Sequence, residues 1–144
     1  MRHIKYIIIN DSMPEASRGK SSNIRIDNLG YHYVINSQGE MLNPIDVSNP
    51  GAFMSKPVCG QEDLNKCCIG IKYNGSLEPE TLTFDLRAKL ISLLVELRSR
   101  YPEAAIFALN EIRPETRHLK HETRGIIRVR KDMNQLRREL SEMI

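Results

Sequence analysis

Cys68-Ile69-Gly70-Ile71-Lys72-Tyr73-Asn74-Gly75 leads, through a short stretch holding Pro79, into Phe84-Asp85-Leu86-Arg87-Ala88-Lys89-Leu90 and on to Arg100-Tyr101-Pro102. The first segment reads as a buried strand closed by an Asn-Gly turn signal. The second is the clearest helix in the chain. Leu86, Leu90, Leu93, Leu94, Leu97 and Tyr101 recur at helical spacing and make one apolar face. Arg87, Lys89, Glu96, Arg98 and Arg100 are expected mostly on the opposite face. Thr83 fits an N-cap, Asp85 favours the positive end of the helix dipole, and Pro102 stops the helix. A further short buried strand, Ala105 to Leu109, follows.

Working outward, Tyr6-Ile7-Ile8-Ile9 is continuous and β-branched, as a strand covered on both faces requires. Residues 11–28 are polar, with Pro14 and Gly19, and read as loop. Gly30 to Ile35 reads as a second strand. Asn36-Ser37-Gln38-Gly39 is a turn, and Glu40-Met41-Leu42 its hairpin return. Residues 43–66 hold Pro44, Pro50, Gly51, Pro57 and Gly60 and read as a long irregular loop, the kind of segment that carries function. A last helix is expected from about Ile127 to Met143, with Val129, Met133, Leu136 and Leu140 on its inner face. There are no repeats, linkers or low-complexity tracts. Strands, a long helix, a strand and a final helix make an α/β chain with a mixed central sheet flanked by helices. One domain over residues 1–144 is the expectation.

Composition agrees. The 144 residues are 40% hydrophobic and 27% charged, ordinary for a globular protein. No apolar run is long enough to cross a bilayer, so no membrane partner is expected. Met1-Arg2-His3-Ile4-Lys5-Tyr6 has a basic flank but no cleavage site after its short apolar run, so a cytoplasmic location is expected. Cys59, Cys67 and Cys68 make a poor disulfide framework. Neighbours on a regular strand point to opposite faces, so Cys67 and Cys68 are not expected to enter one site. The net charge of +3 is uneven: from Arg113 to Arg138 nine Lys or Arg face three Asp or Glu. That segment could attract an anionic partner, or be a solvated basic face.

Several segments, taken in order, resemble the type-2 N-acetylmuramoyl-L-alanine amidases. Tyr6-Ile7-Ile8-Ile9 is similar to their Y-I-V-I-H opening, and Gly30-Tyr31-His32-Tyr33-Val34-Ile35 to their G-Y-H-Y-V-I hairpin. Pro50-Gly51-Ala52-Phe53 stands where the family has G-A-H. Asn65 to Gly75 resembles the N-x-x-S-I-G-I-x-x-x-G strand. Arg100-Tyr101-Pro102-Glu103-Ala104 matches the approach to G-H-R-D-L, which here reads Ala108-Leu109-Asn110-Glu111-Ile112. Ile127 to Lys131 is similar to the helix start after C-P-x-F. The match runs over roughly residues 4–140. The resemblance implies the fold shared by phage lysozyme-type amidases and peptidoglycan recognition proteins, with a groove for a muropeptide. In active members two His and a Cys or Asp hold zinc, which activates water and polarises the amide between lactyl group and L-alanine.

Carried over position by position, those ligands are missing. The first His falls on Asn10, whose neutral amide is a poor zinc donor. The second falls on Leu109, which has no donor atom. With C-P-x-F placed on Arg124-Gly125-Ile126-Ile127, the thiolate becomes Arg124, always cationic. The groove His becomes Phe53. Tyr31 keeps the position of the family's assisting Tyr, and His32 is expected to be hydrogen-bonded in the core. His118-x-x-His121 would align two imidazoles on a helix but has no third donor. Asn10, Asp11, Ser12 and Glu111 are expected to line a small polar pocket. The groove candidates are thus Asn10, Tyr31, Phe53, Leu109, Glu111 and Arg124, with no metal ligand and no cofactor, the family's zinc being lost.

The leading expectation is a non-catalytic amidase homologue that binds peptidoglycan fragments. One alternative is an active cell-wall amidase with a rearranged site. Another is an interaction module for an anionic partner at residues 113–138, although that segment lacks the aromatic residues that stack single-stranded bases.

Overall fold

The computed structural model describes residues 3–11, 30–53, 63–74, 84–112 and 130–143. Thr83, Ser12, Cys59, His118, His121 and Arg124 lie outside the described residues. Five strands form one sheet: β1 Tyr6–Asp11, β2 Tyr33–Ile35, β3 Met41–Leu42, β4 Cys68–Tyr73 and β5 Ala105–Ala108. Their order is β3-β2-β4-β1-β5. β3 is antiparallel to β2, and every other pair is parallel. The mixed central sheet is therefore as the sequence leads one to expect.

Two helices complete the fold, α1 Phe84–Arg100 and α2 Lys131–Met143. α1 links β4 to β5, which flank β1, so the chain crosses over β1 between them. Ile7 and Ile9 pack with Ile69, Ile71 and Ile106, and with Leu90, Leu94 and Leu97 of α1 and Met133, Leu136 and Leu140 of α2. Both helices thus cover one face of the sheet. The other face carries a smaller cluster of Ile8, Cys67, Cys68, Leu64 and Ile112, edged by Tyr6, Phe53, Phe107 and Leu109. Ile7, Ile8 and Ile9 are all fully buried, which is why β1 reads as an unbroken apolar run.

Several boundaries differ from expectation for identifiable reasons. The second strand starts at Tyr33, not Gly30, because the preceding residues pack backbone to backbone against 51–53: Ala52 N donates to Gly30 O at 2.9 Å. A Cβ on Gly30 would lie 2.6 Å from Ala52 O, so this approach requires glycine. The Asn36–Gly39 turn forms, with Gly39 at φ +85° and Asn36 Oδ1 accepting from the N–H of Gln38 and of Glu40. Leu64–Lys66 and Leu109–Glu111 are single 3-10 turns rather than loop and strand end. Asp63 caps the first by accepting from Asn65 N.

The last helix begins at Lys131, later than expected; Arg130 precedes it, its side chain bound to Asp11 and Asp132. Arg87 is not on a solvated face. It is buried and its guanidinium meets Glu139 of α2 at 3.1 Å. Cys67 and Cys68 do share one cluster, because Cys67 lies in the turn before β4 rather than in the strand; both are free thiols. Among the described residues no helix is long and apolar enough to cross a membrane.

Candidate functional site

Strand register arranges the open face of the sheet in rows. In a parallel sheet, register partners project to the same face. Asn10 pairs with Lys72, and Lys72 with Val34. Ile9 pairs with Ala108, which brings Leu109 beside Asn10. Val34, Lys72, Asn10 and Leu109 therefore form one row at the carboxyl ends of the parallel strands, where α/β sheets place ligands. The row behind it runs Gly70, Ile8, Phe107.

Aromatic rings build a wall over these rows. Phe53 lies on Gly70 so closely that a Cβ there would come within 2.6 Å of the ring. Tyr31 stacks on Phe53 with ring centroids 5.2 Å apart. The Tyr31 hydroxyl accepts a hydrogen bond from Asn10 Nδ2 at 2.6 Å. Phe53 is positioned through its backbone N–H, which donates to Asn65 Oδ1 at 3.1 Å. Asn10, Tyr31, Phe53 and Leu109 thus come together.

His32 supports the wall from beneath. It is fully buried. Its Nδ1 accepts from Gly70 N at 3.0 Å, and its Nε2 donates to Asn49 O at 2.7 Å. An imidazole that accepts at one nitrogen and donates at the other is neutral and in the Nε2–H tautomer.

Asp11 and Glu111 do not join this group. Asp11 follows Asn10 and so projects to the opposite, helix-bearing face. There its carboxylate takes a bidentate pair from Arg130, at 2.9 and 3.1 Å. Arg130 also holds Asp132 at 2.7 Å. Burial alone would lower the Arg130 pKa, but the two carboxylates outweigh it and hold the guanidinium above its ordinary value. Glu111 is wholly buried. Its carboxylate accepts from Ala108 N, Arg130 N and both terminal nitrogens of Arg137, at 2.8–3.0 Å. Burial pushes the Glu111 carboxyl up; the Arg137 guanidinium and the two backbone N–H groups prevail and hold it below the usual range. Arg137 Nη1 also reaches Ile106 O at 2.7 Å. These residues tie the ends of β1 and β5 to α2 and are architectural. Sequence reading placed Arg130 and Arg137 in the basic segment and gave Lys72 no role, since strand register and long-range ion pairing have no local signature.

No family model and no curated protein matches the chain in sequence. In three dimensions it has the fold of the N-acetylmuramoyl-L-alanine amidases. Two structures from Clostridium intestinale URNW share it. The amidase LysC is 18% identical with a TM-score of 0.61, the alignment covering 97% of this chain and 87% of LysC. The endolysin amidase LysCS is 18% identical with a TM-score of 0.61, covering 97% and 85%. A selenomethionine derivative of AmpD is 14% identical with a TM-score of 0.57, covering 87% and 85%.

The side chains of this row are an amide, an ammonium and two aliphatic chains. Asn10 turns an amide nitrogen, a donor, toward Tyr31. Leu109 packs hydrocarbon against the Ile8 cluster. Lys72 adds a cation to the same row. Among the described residues no three His, Cys, Asp or Glu side chains gather to hold a metal ion.

Proposed function

We propose that this chain is a non-catalytic relative of the N-acetylmuramoyl-L-alanine amidases that binds a peptidoglycan fragment in its groove without cutting it. The observation that carries the reading is the Asn10–Tyr31 hydrogen bond of 2.6 Å beside the hydrocarbon of Leu109. A neutral amide whose nitrogen is engaged with a phenol, beside an aliphatic chain, is a poor donor set for zinc compared with imidazole and thiolate, which favours a site without metal-activated water. What supports binding is a stacked pair, the buried Tyr31 and the half-buried Phe53, next to polar groups at the carboxyl ends of parallel strands. The fold shared with LysC, LysCS and AmpD supports peptidoglycan as the ligand class.

Two measurements on the purified full chain test this. Metal analysis should find less than about a tenth of an equivalent of zinc, against one per site in a four-coordinate catalytic centre. A peptidoglycan suspension should retain the protein on sedimentation yet keep its turbidity. Clearing of the suspension would establish the rearranged, active amidase instead. Failure to co-sediment would remove peptidoglycan as the ligand. The basic-segment alternative draws less support from residues 130–138. There Arg130 and Arg137 are bound internally to carboxylates, and the exposed cations are Lys131 and Arg138.

A further inference from the structure

We infer that the outer side of the two helices is a self-association surface, and that a second copy of this chain covers the furrow between α1 and α2. The furrow lies on the face of the sheet opposite the Asn10 row. It has a volume of about 560 Å³ and is lined by Ala88, Ile91, Ser92 and Val95 of α1 and by Met143 of α2. The Arg87–Glu139 ion pair borders it. Ile91 and Val95 pack against the main core yet are only half-buried. Met143 is 57% exposed. Ala88 and Ser92 are exposed, and side chains this small let a second helix approach closely.

The charges flanking the furrow define the partner. Lys89 and Glu96 stand exposed on α1, about two turns apart and so nearly in line along the helix axis. Arg138 and Glu142 stand exposed on α2, about one turn apart. Among the described residues none of these four side chains has an ion-pair partner. Together they carry no net charge, so the surface neither repels its own copy nor selects a strongly charged partner. In each helix the cation precedes the anion. An antiparallel copy reverses that order. Lys89 of each copy then lies beside Glu96 of the other, and Arg138 of each beside Glu142 of the other, with the two-fold axis passing by Ser92. That is the self-complementarity a two-fold contact requires. Two α1–α2 pairs apposed in this way make a four-helix bundle, its core filled by Ile91, Val95 and Met143 from both copies. The apolar contacts supply affinity and the flanking charges fix the orientation. Arg87 and Glu139 neutralise each other and bring no net charge into that core. The Asn10 row of each copy stays clear of the contact, so the dimer carries two such rows facing apart.

Sedimentation velocity of the purified full chain, from low-micromolar to submillimolar concentration, tests this. A monomer–dimer equilibrium of micromolar affinity is expected, as befits a small interface. Lys89→Glu and Glu96→Lys should each weaken it at least about tenfold, because each sets like charges against one another twice. An equimolar mixture of the two variants should associate as well as wild type, since every pair across the contact is again opposite in sign. Ser92→Arg should give a monomer by filling the space at the axis. All three positions are exposed, so the circular dichroism spectrum of each variant should match wild type. A chain that is monomeric throughout the range leaves the furrow to another occupant and overturns the inference. So does a dimer indifferent to both charge reversals and to Ser92→Arg, or a mixture of the two reversals that fails to associate.

Discussion

Replacing Glu111 by Gln is the most informative single perturbation of the fold. The carboxylate is fully buried and accepts four hydrogen bonds, two from backbone N–H groups and two from Arg137. Every partner is a donor. Gln keeps the shape but swaps one acceptor oxygen for an NH2, which must then face N–H groups. A buried donor without an acceptor costs about 1–3 kcal/mol, and uncoupling one member of a buried ion pair costs about 3–5 kcal/mol. Since the amide oxygen retains part of the set, and Arg137 keeps its bonds to Ile106 O and Asn134, a loss of about 3 kcal/mol is expected. Against a typical total of about 5–15 kcal/mol this is large. Equilibrium urea unfolding should show the midpoint falling with the slope unchanged.

The same variant should alter the acid limb. The folded-state pKa of Glu111 lies below its ordinary 4.5. The carboxylate therefore contributes stability that is present above the unfolded pKa and lost as pH falls through the folded one. Wild type should lose stability on acidification below about pH 4.5 more steeply than Glu111→Gln. A loss under about 1 kcal/mol at neutral pH, or identical acid limbs, would refute the claim that this carboxylate anchors α2.

Three further outcomes follow from other contacts. Gly70→Ala should cost about 1–3 kcal/mol by overpacking, because its Cβ would fall 2.6 Å from the Phe53 ring; thermal melts of Gly70→Ala, Phe53→Leu and the double variant should show the second change relieving the first. Long-range ¹⁵N–¹H NMR should report His32 as the neutral Nε2–H tautomer, and His32→Phe should cost about 1–3 kcal/mol by leaving Gly70 N–H and Asn49 O unpaired. Asp11→Ala should destabilise by about 1–3 kcal/mol, because Arg130 loses its bidentate partner and keeps Asp132 alone, whereas Asn10→Ala should change stability by under about 1 kcal/mol while weakening ligand binding; comparable stability losses at the two positions would overturn the division of faces.

Local patterns carried much of the fold. The apolar run at Tyr6–Ile9, the Leu periodicity from Leu86 to Leu97 and the turn ending at Gly39 are each written in a few adjacent residues, and each formed. What resisted reading depends on distant partners. Arg87 looks like a surface residue in its own helix and is buried against α2, where Glu139 meets it. The site was half legible. Asn10, Tyr31, Phe53 and Leu109 could be named from their order along the chain, because each sits in a recognisable segment. Lys72 could not, since its place beside Asn10 is fixed by the pairing of two strands more than sixty residues apart. Glu111 was misjudged for the same reason: its burial follows from Arg130 and Arg137, which arrive from α2.

The end of β1 separates architecture from binding within two residues. Alternation sends Asp11 toward the helices, where Arg130 and then Asp132 fix the start of α2. Asn10 goes to the open face, where it meets Tyr31 and lies beside Lys72. With Glu111 fastening Ala108, Arg130 and Arg137 together, the ends of β1 and β5 are tied to α2. Residues 10 and 72 are not among the groups that tie these ends to α2, whereas Leu109 packs against the Ile8 cluster. On the non-catalytic reading proposed above, an amide, an ammonium and an aliphatic chain on this scaffold would bind through hydrogen bonds and charge rather than through Lewis acidity.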